Sequence, residues 1–382
     1  MNSVIADAKP LASAASKMIS PHRSGRVLAL VIIISVLIVL VGMLVQIGAG
    51  SYGMTWREAW ASVFDPQLWR NPGLLGRLVL GDRIADSMGW ITSEAIPTAT
   101  LIVWTVRMPR VLVGIMVGVN LAFSGCIFQA VTRNEMASPY LLGVSSGAGL
   151  AILLAITIYP GLGIHLPLIA MLGGLAAFLV VYAIAWKQGT SPVRLILAGV
   201  VVGAICHALQ TGLHFLAKDI TVVQNALAWT SGSLTGVGWG QVRMILPWTI
   251  VCVTLAFSGA RYLDIFLLGD PTAKALGMTV ERARFLLAAT AVLSAASAVS
   301  AAGMIGFVGL IVPHVIRSMV GSPHGRLLLG CFVAGPALLV GADAIARLML
   351  NPLQLPVGII TGVLGGGFFL YRMRQKREFG RL

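Results

Sequence analysis

Uncharged apolar runs of about twenty residues recur along the chain, separated by short segments rich in glycine, proline and basic residues. An α-helix of about 20 apolar residues spans the roughly 30 Å hydrocarbon core of a bilayer. Each helix there must satisfy its own backbone N–H and C=O groups, so run length rather than amphipathic alternation is the pattern to read. Ten runs qualify: 27–47, 111–131, 138–158, 166–186, 195–216, 243–260, 285–302, 304–320, 327–345 and 354–371. The run at 304–320, interrupted by Gly306, Gly309 and Pro313, predicts a short or broken span. Residues 220–241 are apolar but rich in Thr, Ser, Gly, Asn and Trp, and predict a helix lying at the interface or lining a wet cavity. The first run follows His22, Arg23 and Arg26 as in a signal peptide. It exceeds the roughly 7–15 apolar residues of such a segment and reads as an uncleaved first helix.

Composition supports this pattern: 57% of the 382 residues are hydrophobic and 10% are charged, against about 25% charged in a soluble domain. The fold class is therefore all-α and polytopic, one transmembrane domain over 27–371 between a tail at 1–26 and a basic tail at 372–382. The net charge of +14 comes from residues scattered singly between apolar runs, which fits lipid topology better than a nucleic-acid patch. With both termini cytoplasmic, 18 of the 27 basic residues fall on the inner side. That is the positive-inside bias, and it predicts a multi-pass protein of the plasma membrane. The long hydrophilic stretch 49–101 then lies outside, its Trp56, Trp60, Trp69 and Trp90 suited to the headgroup region.

The chemistry is mostly that of packing and docking. Glycines at four-residue spacing, Gly114 with Gly118, Gly199 with Gly203 and Gly358 with Gly362, predict close helix contacts. No GxxxxGK[ST] or HExxH motif occurs, so the chain is not expected to be an enzyme, to hydrolyse ATP or to bind a cofactor or metal of its own. Cys126, Cys206, Cys252 and Cys331 are far apart without CxxC spacing and read as small packing residues. His207 and His214 share a helix face but lack carboxylate or thiolate partners. Asp343 and Arg347, spaced i,i+4, could pair with each other, or Arg347 could face a partner outside. Between spans six and seven, residues 263–284 form an inner loop of leucines and charges, built like two short helices around Gly269 and Gly277. Asp270 and Pro271 suit a helix start, and the loop predicts a surface that docks on another protein.

The motifs VRMPRVLVGIMVGVNLAFSGCIFQAVTRN from Val106, SPYLLGVSSGAG from Ser138, LILAGV from Leu195, GMIGFVGLIVPHVIR from Gly303 and ADAIARLMLNPLQLPVGIITGVLGGGFFLYRMR from Ala342 follow one another along the chain. Through them, over Trp104 to Arg374, the chain resembles the permease subunits of ATP-binding-cassette importers for iron siderophores, haem and cobalamin. The resemblance implies a ten-helix subunit pairing with a second permease, homodimeric or heterodimeric, around a shared path. It also implies two separate ATPase subunits carrying ATP and Mg, a soluble substrate-binding protein outside, and residence in a bacterial inner membrane. By the same resemblance Leu268, Gly269, Asp270, Ala273, Leu276 and Gly277 form the ATPase-coupling surface, while Arg107, Arg110 and Arg347 meet acidic residues of the binding protein. Glu135 stands where the family commonly has a proline, which alters the turn after the second span. An ion-gradient-driven carrier shares the hydropathy, but it would bury acids near the bilayer centre, and none is evident.

Overall fold

A computed structural model describes residues 21–48, 50, 52–90, 96–158, 165–187, 189–216, 229–349 and 354–375. Where the apolar runs lie, ten helices form: α1 (Pro21–Gly48), α2 (Thr98–Thr132), α3 (Val144–Ile158), α4 (Leu166–Ala185), α5 (Pro192–Leu216), α6 (Trp239–Ser258), α7 (Val280–Ala302), α8 (Val308–Val320), α9 (His324–Met349) and α10 (Val357–Gln375). Seven are long and apolar enough to cross a membrane; α3, α8 and α10 are shorter apolar helices. The broken span expected at 304–320 is α8, which starts only after Phe307 turns into the left-handed region at φ 68°. The run expected from 138 opens instead with a 3-10 turn at Pro139–Leu142, and α3 follows it. Residues 220–228 of the expected interfacial helix lie outside the described residues; from 229 the chain leads through a turn into α6.

α2 is the central rod. It packs against α6, α7, α8 and α9, and nearly all its side chains from Pro109 to Thr132 are buried. α1 lies outside against α9, and α5 leaves much of its surface uncovered. Because lipid is as apolar as leucine, helix association relies on close packing and interhelical hydrogen bonds. Both are present. Gly125 of α2 faces Gly309 of α8, where a Cβ would stand 1.7 Å from the Gly309 carbonyl oxygen. Of the paired glycines noted in the sequence, Gly118 abuts Gly335 of α9 and Gly358 abuts Ser231, whereas Gly362 has open space beside it. Buried Asn120 donates to Thr249 of α6 at 2.7 Å, and Ser294 of α7 donates to the Asn120 side-chain oxygen at 3.0 Å. One side chain therefore ties three helices.

Between α1 and α2 a chain of short helices covers one end of the bundle: Trp56–Val63, Pro66–Arg70, Pro72–Leu80 and Asp82–Ser87. Their starts follow from local capping. Thr55 and Glu58 form a capping box, and Asp65 and Asn71 cap the two helices that begin with proline. Ala59, Val63, Leu68 and Leu74 form a small core with Ile47 and Trp104, fixing this cap to the ends of α1 and α2.

Replacing Gly125 by alanine should force α2 and α8 apart, at a cost of about 1–3 kcal/mol typical of overpacking. Thermal unfolding of the detergent-purified protein is expected to fall for Gly125→Ala and to stay unchanged for Gly366→Ala, where nothing lies within 4 Å of the added methyl.

Candidate docking sites at the two ends of the bundle

At the capped end, α2 enters through a π-helical turn, Val103–Arg107, before its regular part begins at Met108. Arg107 and Arg110, three residues apart, project to one side of it and meet Arg347 from the last turn of α9 around a cavity of about 110 Å3. All three are buried, at 1%, 4% and 7% exposure. Arg347 is therefore not displayed on the surface, such display being one of the two arrangements the sequence left open.

Nor does Asp343 pair with Arg347. Its carboxylate is held by two bonds from Arg110, Nε at 2.9 Å and Nη2 at 2.8 Å, while Arg110 Nη1 donates to Gln354 Oε1 at 2.6 Å. In place of the i,i+4 neighbour on its own helix, the fold supplies Asp343 with a partner from α2, 233 positions away. Among the described residues, neither Arg107 nor Arg347 forms an ion pair with a carboxylate. Arg107 donates to the carbonyls of Ile47, Gly48 and Tyr52, and Arg347 Nη1 donates to the Gln46 carbonyl at 2.9 Å. These carbonyls belong to the last turn of α1 and the residues beyond it, the electronegative end of a helix dipole. Arg347 Nε is buried without a partner. The cluster thus holds three guanidinium groups against one carboxylate, an arrangement suited to accepting an anion. Gly50 sits directly on it: a Cβ there would lie 2.8 Å from Arg107 Nη2 and 2.9 Å from Arg347 Nη2. Gln46 and Gly50 carried no motif in the sequence, and Gln354 lies within one that assigned it no role, because only the fold brings them to the arginines.

At the opposite end, the connector from α6 to α7 has the expected two short helices, Ala260–Phe266 and Asp270–Ala275. Gly269 and Gly277 make its turns with φ of 92° and 80°, values that favour glycine. Ala273 is fully buried beneath the loop, whereas Leu268 and Leu276 are about 60% exposed, at 58% and 61%. Asp270 does not cap its helix as the sequence suggested. Its carboxylate is drawn away to Arg284 Nη2 at 2.7 Å, with Arg133 Nη2 3.5 Å from the other oxygen.

Arg284, which no motif singled out, is the hub. It is fully buried, bonds the Thr190 carbonyl and Glu281, and lies 5.5 Å over the Phe266 ring. Glu281 also accepts from the Thr190 amide and hydroxyl. Asp264 accepts from the amide and ring of His324 at the start of α9, at 2.8 and 2.7 Å. Through these bonds the connector is fastened to the end of α2, the α4–α5 turn, α7 and α9. Glu135, the departure from the family turn, points to His314 Nδ1 at 3.4 Å and Arg317 at 3.7 Å on α8.

The four cysteines are buried as free thiols. His207 is exposed on α5, and the His214 side chain lies outside the described residues. Among the described residues no group of three His, Cys, Asp or Glu could hold a metal ion.

The profile of the FecCD transport family matches residues 37–375, and so takes in the cap that the motif resemblance from Trp104 left out. The iron(3+)-hydroxamate import system permease protein FhuG of Bacillus subtilis is 38% identical over 283 residues, covering 72% of this chain and 84% of that protein. The cobalamin import system permease protein BtuC of Halobacterium salinarum is 41% identical over 280 residues, covering 73% and 75%. The Fe(3+) dicitrate transport system permease protein FecD of Escherichia coli is 38% identical over 272 residues, covering 71% and 84%. A solved inward-facing metal-chelate type ABC transporter shares the fold with a TM-score of 0.73 at 24% identity, covering 90% of this chain and 99% of that one.

Removing Arg110 should leave Asp343 as an unpaired buried charge, which costs about 3–5 kcal/mol. Arg110→Ala is expected to lower the folded yield and unfolding temperature sharply. The double variant Arg110→Ala with Asp343→Ala should recover part of the loss, as read in the same thermal-unfolding assay.

Proposed function

The chain belongs to the FecCD transport family and is a permease subunit of an ABC importer; from that premise we propose how its two ends serve transport. It forms half of a path for a metal chelate, first a ferric siderophore, with haem and cobalamin as the other candidates. It works with a second permease subunit and two ATPase subunits, and a soluble binding protein delivers the ligand to the outer face. Both termini and the 263–284 connector are cytoplasmic in a bacterial inner membrane, and the arginine end faces outward.

The observation that carries this reading is the connector itself. Exposed Leu268 and Leu276 stand on a loop whose base is locked by buried Arg284. An ATPase gripping those leucines moves a unit already fastened to α2, α7 and α9, so closure of the ATPases on ATP is passed to the path as rigid-body motion. The alternative of ion-driven transport finds little support. Among the described residues the one buried carboxylate is Asp343, and a bidentate guanidinium pair is poorly suited to releasing and rebinding a proton.

At the outer end the arginines divide by role. Arg110 is spent on Asp343 and holds α2 to α9. Arg107 and Arg347, bonded among the described residues only to carbonyls, are the pair that would receive an acidic side chain of the binding protein, with the segment at Gly50 moving aside.

Three results are expected. Leu268→Asp with Leu276→Asp should abolish co-purification of the ATPase; a complex that survives overturns the coupling assignment. Gly50→Glu should place a carboxylate against both free arginines and weaken capture of the loaded binding protein by at least about tenfold, as should Arg107→Glu with Arg347→Glu. Unchanged uptake at limiting binding protein would exclude this docking site. Single cysteines at Lys274 and Glu58 should label from opposite compartments, and labelling from one side would reverse or break the topology.

A further inference from the structure

Where α6 ends and α7 begins, the two helices enclose an open groove of about 390 Å3 that the transport reading does not use. Its walls include Leu255 of α6 and Ala283, Leu286 and Leu287 of α7. Ser258, Gly259, Tyr262, Thr279, Arg282 and Thr290 complete the lining. Because α6 ends at Ser258 and α7 begins at Val280, the polar members sit at or beyond the helix ends except Thr290, whose hydroxyl is spent on the Leu286 carbonyl, and the leucines sit within the spans. The groove is therefore graded, apolar toward the bilayer interior and polar at headgroup depth. Gly259 shapes its floor: a Cβ there would stand 2.7 Å from Leu287 Cδ2. The lining opens outward, with Leu255, Leu286 and Tyr262 exposed at 45%, 63% and 49%.

The charge at the polar end is one-sided. Arg282 and neighbouring Arg261 are exposed, and neither has an ion pair or hydrogen bond among the described residues. The nearby acids are committed elsewhere: Glu281 to Thr190 and Arg284, Asp270 to Arg284, and Asp264 to His324. Among the described residues no carboxylate lines the groove.

We propose that this groove binds an anionic phospholipid. Its phosphate lies against Arg282, with Arg261 and the hydroxyls of Tyr262 and Thr279 as further donors, and its acyl chains run along Leu255, Leu286 and Leu287. A soluble phosphate would leave the apolar half of the site unfilled. A zwitterionic lipid would bring its own cation to an end that already has two. Tyr262 and Thr279 flank the connector on its two sides, so one bound lipid braces both flanks of the loop at the membrane surface. The orientation proposed above decides only which leaflet supplies the lipid.

The test is native mass spectrometry of the full chain with its ATPase, released from nanodiscs of equal phosphatidylglycerol and phosphatidylcholine. One phosphatidylglycerol should remain bound at collision energies that strip phosphatidylcholine. Arg282→Gln should reduce the retained fraction about fivefold, the effect of one basic residue near an anionic headgroup. Leu286→Trp, which fills the groove without changing charge, should also reduce it, and Lys187→Gln, away from the groove, should not. Helicity by circular dichroism and retained ATPase report that each variant is folded. Equal retention of the two lipids, or retention unaffected by both Arg282→Gln and Leu286→Trp, overturns the proposal. So does release of the ATPase by Arg282→Gln with phosphatidylglycerol still bound, which would make the groove a protein contact. Lipid retention is read without transport, so a failed uptake assay leaves it standing, and reversed cysteine labelling changes only the leaflet.

Discussion

In hydrocarbon, a backbone N–H or C=O left without a partner costs several kcal/mol, and everything in this molecule is arranged around that constraint. Helices satisfy it internally along their length but leave open groups at their ends. Polar chemistry is accordingly concentrated at the two ends of the bundle. The carbonyls at the end of α1 are met by Arg107 and Arg347, so a helix terminus and two unneutralised cations satisfy one another. At the other end, the turns around Gly269 and Thr190 are held by Arg284 in the same manner.

Within the spans, polar side chains survive where they bridge helices. Asn120 joins α2 to α6 and α7, and Ser124 reaches the Ala291 carbonyl. Interhelical hydrogen bonds of this kind are each worth about 0.6 kcal/mol on average, so they fix register more than they supply stability. Contacts such as Gly125 against Gly309 allow the backbones to approach closely enough for those short side chains to reach.

Two helices run from one docking end to the other. α2 carries Arg107 and Arg110 at its start and leads to Arg133 and Glu135 at its close; over 35 residues it is about 50 Å long. α9 begins at His324, bonded to Asp264 of the connector, and ends with Asp343 and Arg347 in the arginine cluster. The Arg110–Asp343 pair clamps these rods together at one end. The Asp270–Arg133 and Asp264–His324 contacts gather them onto one loop at the other. A push on the connector and an event at the arginines thus act on the same two rods, a physical route for coupling between the ends.

The sequence by itself determined that the chain is helical and membrane-spanning, and roughly where each helix lies, because run length and absence of charge are local properties that the hydrocarbon reads directly. It also marked the connector, whose Gly269 and Gly277 are placed by backbone φ. Partnership was decided only by the tertiary structure. Asp343 has Arg347 four residues away, yet bonds Arg110; Asp270 could cap its own helix, yet is taken by Arg284. A buried charge goes to whichever opposite charge the packing brings into a shared desolvated space, whether that charge is 14 positions away, as for Asp270, or 233, as for Asp343.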